Sequence, residues 1–297
     1  MKKLPLIVIC GPTASGKTAL AIEAAKRYGG EIVNADSMQI YKYMNIGTAK
    51  PSDAELAAAV HHLVGFIDPR EQFSVADYVP AAHEVISGIV SRGHIPIVAG
   101  GTGLYITSLV NDVEFGDDGS DPEIRAELNR LAEEKGAEEL LKMLAEFDPV
   151  SAERLHPNNL RRIVRAIEFY KTTGRTISEH QEETKRKESR YEPQMFMVDY
   201  ERSVLYDRIN RRVDIMLEQG LVGEVESLLD MGCTAEMQSM QGIGYKETIE
   251  YIKGSITLDE CAELIKQNSR RYAKRQLTWF RRDDRIRTLA PGEYIQI

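Results

Sequence analysis

The first third of the chain alternates short apolar runs with stretches in which apolar residues recur every three or four positions. The runs at 4–10, 31–35, 61–67 and 95–99 have the length and flanking turn residues of buried strands. Lys17–Tyr28, closed by Gly29-Gly30, has a helical period. Pro51-Ser52-Asp53 opens a second helix, and Ser74-Val75-Ala76-Asp77 is a capping box for a third that runs to Arg92. Gly100-Gly101-Thr102-Gly103 turns the last of these strands into a helix over Leu104–Asn111. Strands alternating with helices predict right-handed βαβ units and a parallel sheet.

The pattern changes at Phe115-Gly116-Asp117-Asp118-Gly119-Ser120, which reads as a turn. Beyond it only helical periods appear, over Pro122–Lys135, Ala137–Glu146, about 158–172 and Ile177–Arg186. A strand returns at Met195–Val198, and helices follow over Arg202–Gln219, Val222–Met231 and Leu258–Arg282, with a last short strand at Ile286–Leu289. The expected fold is α/β: a P-loop parallel sheet flanked by helices, made of residues 1–115 and 191–297, with an all-helical subdomain inserted at 116–190. The chain has no internal repeat.

Three turns that follow strands carry unusual chemistry. Gly11-Pro12-Thr13-Ala14-Ser15-Gly16-Lys17-Thr18 is G-x-x-x-x-G-K-[ST] between a strand and a helix, the pattern of a phosphate-binding loop. Backbone N–H groups and the helix N-terminus would face an anion, Lys17 would reach its terminal phosphate, and the Thr18 hydroxyl would hold Mg²⁺. Read alone, the loop predicts a nucleoside triphosphate such as ATP. Asp36 ends the 31–35 strand and is a candidate to accept a proton, to hold a metal through water, or to cap the next turn. Ser37 and Gln39 lie beside it, and Gln39 has the groups to read an adenine edge. Thr102 sits in the glycine-rich turn. In parallel sheets ligands bind at the carboxyl ends of strands, so these three stretches converge. Arg208 and Arg212 share a helix face, and one of them would be drawn to a phosphoryl group.

Charge and composition narrow the class. The 297 residues are 42% hydrophobic and carry a formal charge of −8. Residues 114–148 hold twelve acidic residues against four basic ones, whereas 268–287 hold eight basic residues against Asp283 and Asp284. Arg161, Arg162 and Arg165, Lys185-Arg186-Lys187 and the 268–287 cluster together point to contacts with a phosphate backbone. Cys10, Cys233 and Cys261 lack metal spacing and read as buried thiols. The six histidines show no metal-binding spacing. The apolar run after Met1-Lys2-Lys3 is too short for a signal peptide and no stretch is long enough to span a membrane. The expected setting is the cytoplasm, and the expected state a monomer.

Five stretches occur in an order that is more specific than the phosphate loop. They are Gly11–Thr18, Asp36-Ser37-Met38-Gln39-Ile40-Tyr41, Asn45-Ile46-Gly47-Thr48-Ala49-Lys50-Pro51, Gly100-Gly101-Thr102-Gly103-Leu104-Tyr105 and Lys274-Arg275-Gln276-Leu277-Thr278-Trp279-Phe280. The chain resembles the bacterial tRNA dimethylallyltransferases nearly end to end. The resemblance implies transfer of a dimethylallyl group from dimethylallyl diphosphate to N6 of the adenosine at tRNA position 37. The loop would then hold the diphosphate of the donor, with Mg²⁺ on Thr18, and ATP need not take part. Lys17, Thr18 and Arg208 would stabilise the leaving group, and Asp36 would be the general base. Asp36, Ser37, Met38, Gln39, Thr102, Arg125, Arg161, Arg162, Ile163, Val164, Arg165, Gln241, Gly242, Ile243, Gly244, Tyr245 and Lys246 would contact tRNA, with the helical insertion gripping the anticodon stem-loop. Three other readings compete: an isopentenyltransferase acting on free adenine nucleotides, a P-loop small-molecule kinase, and a non-enzymatic RNA-binding module.

Overall fold

The computed structural model describes residues 3–115, 121–186 and 188–297. The chain divides into two compact units, Met1–Val110 with Arg190–Ile297, and Asn111–Ser189. The expected turn at 115–120 and the Lys185-Arg186-Lys187 side chains fall outside the described structure, apart from Phe115 and the backbone of Lys185 and Arg186.

The first unit is built on six parallel strands: β1 (Leu4–Cys10), β2 (Gly30–Asn34), β3 (His61–His62), β4 (Ile95–Ala99), β5 (Tyr191–Val198) and β6 (Ile286–Leu289). Their order is β3-β2-β4-β1-β5-β6. In register, Ile7 lies beside Ile97 and Gln194, so β1 is central. Residues 6–10 are all buried, because helices cover both faces of the sheet. Helix α1 (Lys17–Tyr28) packs Ala21, Ile22, Ala24 and Ala25 against Ile7, Ile9, Ile32, Ile97 and Phe196. Each fully buried Ile or Phe of this layer contributes about 1.5–3 kcal/mol. The strand expected over 61–67 stops at His62, since Leu63 and Gly65 take left-handed φ values of 58° and 57°. Strand β5 starts earlier than its apolar pattern indicates. Pro193 is tolerated there because residues 191–194 pair only with β1, and β6 joins from Met195.

The remaining helices of this unit are α2 (Asp53–Ala58), α3 (Val75–Ser91) and α4 (Gly103–Val110) before the insertion. Ser52 with Glu55, and Ser74 with Asp77, form the capping boxes that start α2 and α3. Cys10, Cys233 and Cys261 are buried thiols, and burial pushes Cys10 up to about 12. No helix among the described residues is long and apolar enough to cross a membrane.

The second unit is helical: α5 (Pro122–Lys135), α6 (Ala137–Phe147), α7 (Pro149–Arg154), α8 (Leu160–Thr173) and α9 (Ile177–Arg186). Leu128, Leu140, Leu144, Ile163, Val164 and Ile167 form its core. Two buried carboxylates tie its loops. Asp148 caps α7 through Ser151 and accepts from the Ser178 N–H, and Glu168 accepts from the Asp121 N–H at 2.9 Å. After β5 the chain continues as α10 (Arg202–Glu218), α11 (Leu221–Asp230), α12 (Tyr245–Ile252) and α13 (Leu258–Phe280), the last opened by the capping box of Thr257 and Glu260.

Candidate active site

The loops after β1, β2 and β4 meet at the carboxyl edge of the sheet, and α10 and α13 close over them. In the Gly11–Thr18 loop, Gly11 and Gly16 take positive φ (137° and 83°), which curls the backbone before α1. Lys17 Nζ donates to the Pro12 carbonyl at 2.5 Å. Protein atoms surround this ammonium, and desolvation lowers its pKa to about 8; Asp36 opposes the shift and Arg212 adds to it. Arg212 is desolvated as well, and Asp36 again opposes the drop in its pKa. Two recessed cations thus share one carboxylate neighbour, so the site carries an excess of positive charge.

The two arginines of α10 play different parts. Arg212 donates to the Thr13 hydroxyl at 3.0 Å and reaches the Thr48 carbonyl at 3.5 Å. Arg208 is more exposed, donates through Nε to the Ala14 carbonyl at 2.8 Å, and lies over the Tyr200 ring. The resemblance implies Arg208 as a leaving-group cation, and Arg212 adds a second cation on the same helix face, whose charge acts on Lys17 and is balanced in part by Asp36.

Asp36 lies at the end of the buried strand. Its Oδ1 accepts from the Met38 N–H at 2.9 Å and the Gln39 N–H at 3.4 Å, which is the capping role. Its second oxygen makes no hydrogen bond among the described residues and is available as a base. The Ser37 N–H donates to Thr102 Oγ1 at 2.9 Å, and the Thr102 hydroxyl donates to Ser37 Oγ at 3.2 Å, so two of the expected stretches are joined directly. Gln39 Nε2 donates to the Thr48 and Ala49 carbonyls, which leaves its carboxamide oxygen rather than its amide for a ligand. Thr18 stands on the first turn of α1, partly accessible.

The Asn45–Pro51 loop is anchored by a residue that sequence reasoning missed. Glu224 of α11 accepts from the N–H groups of Asn45 (2.7 Å), Ile46 (2.7 Å) and Gly47 (3.0 Å), and from the Tyr245 hydroxyl (2.7 Å). Tyr245 is therefore a buried support, and its side chain is not open to a nucleic acid. Of the Gln241–Lys246 stretch, Gln241 and Lys246 are exposed, Gly242 and Ile243 are partly exposed, and Gly244 is buried. Gly242 sits where a Cβ would lie 2.5 Å from Met38 Cε, so these two residues are in close contact.

The arginines of the helical unit also divide. Arg161 and Arg162 are exposed. Arg125 and Arg165 both donate to the buried Glu168, at 3.0 Å and 3.2 Å. Ile163 and Val164 are core residues at 0% and 3% exposure, which corrects their assignment to a nucleic-acid surface: helical periodicity turns them inward while their neighbours face solvent. No group of His, Cys, Asp and Glu that could hold a metal on its own occurs among the described residues.

Comparison with known proteins matches residues 39–283 to the family described as IPP transferase and residues 4–64 to the isopentenyl transferase family. The tRNA dimethylallyltransferase of Acetivibrio thermocellus is 51% identical over 289 residues, covering 97% of this chain and 92% of that protein. The crystal structure of the full-length tRNA isopentenylpyrophosphate transferase from Bacillus halodurans superposes with a TM-score of 0.72 at 43% identity, over 98% of this chain and 90% of that one. A eukaryotic dimethylallyltransferase acting on tRNA superposes at 0.84 with 30% identity, over 97% and 74%.

Proposed function

The chain belongs to the IPP transferase family, and from that membership we infer that it is a tRNA dimethylallyltransferase. It transfers a dimethylallyl group from dimethylallyl diphosphate to N6 of the adenosine at tRNA position 37 and releases diphosphate. The observation that carries the site assignment is the pair of recessed cations, Lys17 and Arg212, set beside the single carboxylate of Asp36. A polyanion relieves their mutual repulsion, and a departing diphosphate is the group whose charge grows as the allylic C–O bond breaks. The Gly11–Thr18 loop, Lys17 and Arg212 bind that group, and Arg208 adds a cation at its rim.

The reaction forms one bond and breaks another. N6 of adenine donates its electron pair to C1 of the dimethylallyl group, the C1–O pair leaves with the diphosphate, and one N6 proton passes to the free oxygen of Asp36. The other Asp36 oxygen is held by the Met38 and Gln39 N–H groups, so the base stays oriented as it takes the proton. To meet the donor the adenine must leave the anticodon-loop stack, which costs a few kcal/mol. Ser37, Thr102 and the Gln39 carboxamide oxygen then face the extruded nucleotide. Arg161 and Arg162 of the helical unit, with Gln241 and Lys246, supply contacts to the rest of the tRNA.

A neutral hydroxyl on the first helical turn, with diphosphate oxygens and water, is the donor set Mg²⁺ accepts, since this ion is ordinarily bound through one or two protein groups and substrate phosphates. Thr18 would hold it, and the ion would neutralise charge on the diphosphate. We place the enzyme in the cytoplasm, where its tRNA lies, as a monomer.

One assay tests the reading. The protein is incubated with labelled dimethylallyl diphosphate, Mg²⁺ and either tRNA bearing adenosine at position 37 or free AMP. Label in tRNA alone is expected. Label in AMP would assign it to free nucleotides, and ATP hydrolysis with no prenyl transfer would make it a kinase.

A further inference from the structure

Gln276 stands out among the long basic helix that carries it. It is flanked by Lys274 and Arg275, yet it is only 5% exposed, because it faces the carboxyl edge of the sheet. Its Oε1 accepts from the Thr13 N–H at 2.9 Å, and its Nε2 donates to the Gly101 carbonyl at 2.8 Å. A primary carboxamide is the side chain that offers one acceptor and one donor side by side, which is what an N–H on one loop and a C=O on another require.

The fit leaves no spare room. A Cβ on Gly101 would lie 2.3 Å from Gln276 Nε2, so the turn approaches the carboxamide as closely as a glycine allows. One helical turn earlier, Tyr272 lies beside Thr102 and Gln276. Thr102 in turn receives the Ser37 N–H, next to Asp36. Hydrogen bonds therefore join Thr13, in the loop assigned to the donor, through Gln276 to Gly101, and the next residue of the turn, Thr102, bonds Ser37 beside the base.

We propose that Gln276 is a positioning residue, which fixes the donor loop against the acceptor turn so that C1 of the prenyl group, N6 of adenine and Asp36 fall into line. It touches neither substrate and acts through Thr13 and Gly101. This rests on the assignment of the donor loop and of Asp36 made above. Small errors in such an alignment are costly: a displacement of about 1 Å lowers turnover roughly a hundredfold.

Two variants test it, with prenyl transfer to tRNA measured at saturation of each substrate. Gln276→Met keeps the volume and removes both hydrogen bonds. It is expected to lower kcat ten- to hundredfold while KM for dimethylallyl diphosphate and for tRNA each change less than threefold. Gly101→Ala, whose added methyl displaces the carboxamide, is expected to lower kcat similarly in the wild-type background but to have little further effect on Gln276→Ala, where the space is free. Circular dichroism and a thermal melt confirm that each variant is folded at the assay temperature. Wild-type kcat in Gln276→Met, a loss expressed only in KM, or a loss matched by the unfolded fraction would each overturn the proposal. If the wild-type protein itself transfers no prenyl group to tRNA, the reading of the site fails instead.

Discussion

Lys17 gives the most quantitative test of the donor site. Its pKa is lowered to about 8, chiefly by desolvation. For a lysine the sign is that the free protein keeps the proton below pH 8 and loses it above, while a bound diphosphate, close by and strongly anionic, restores the proton. Donor affinity must then fall as pH rises through 8. Between pH 7 and pH 9 the protonated share of free Lys17 drops from about 90% to about 10%, so affinity falls about tenfold, or ~1.4 kcal/mol. At pH 9 binding takes up about 0.9 proton. Titration calorimetry with dimethylallyl diphosphate, run at pH 7 and pH 9 in two buffers of different ionisation enthalpy, reads both quantities. Lys17→Arg does not titrate in this range and should bind with a flat profile. Equal affinity at the two pH values in the wild type, or the same slope in Lys17→Arg, would refute the reasoning.

Asp36→Asn keeps the oxygen that caps Met38 and Gln39 but removes the base, so kcat should fall by about 10²–10⁴ with little change in tRNA affinity, measured by filter binding. Arg161→Ala with Arg162→Ala should weaken tRNA binding and lower the slope of log affinity against log salt by about two. Arg165→Ala should instead destabilise the helical unit by roughly 2–3 kcal/mol in a denaturant melt, since it strips a partner from the buried Glu168. Glu31, buried near the start of β2, accepts from Arg92 and pairs with His62 and His94, and these partners, Arg92 foremost, lower its pKa to about 2. Its contribution is present above the usual carboxylate pKa and is lost as pH falls towards 2. Glu31→Gln should therefore cost about 3 kcal/mol at pH 7 and much less at pH 2, measured by urea unfolding at the two pH values.

What could be read from the chain beforehand was local. The 4–10 run, the Gly11–Thr18 spacing, Asp36 at a strand end and the Gly100–Gly103 turn each announce themselves within a few residues, and the parallel sheet brings them together by topology alone. What escaped is set by pairing at long range. Gln276 bonds Thr13, 263 positions away, and Glu224 bonds Asn45, 179 positions away. In the sequence each has apolar neighbours three residues before and four after it on its helix, Ala273 and Phe280 for Gln276 and Leu221 and Leu228 for Glu224, but nothing there shows which backbone groups the side chain meets. The arginines make the same point from the other side. Arg161 and Arg165 are four apart on one helix and look equivalent, but Arg165 is within reach of a carboxylate buried three residues later and Arg161 is not. Arg208 and Arg212 are likewise one turn apart, but Arg208 is exposed while Arg212 is recessed against Thr13 and Thr48. Residue type and spacing thus locate the reacting groups, while the residues that hold them in place become visible only when the loops they join are seen side by side. For that reason the donor loop is better described as one member of a joint with Gln276, Arg212 and the acceptor turn than as a self-contained motif. Substitutions of Gln276 should affect turnover even though its side chain meets neither substrate.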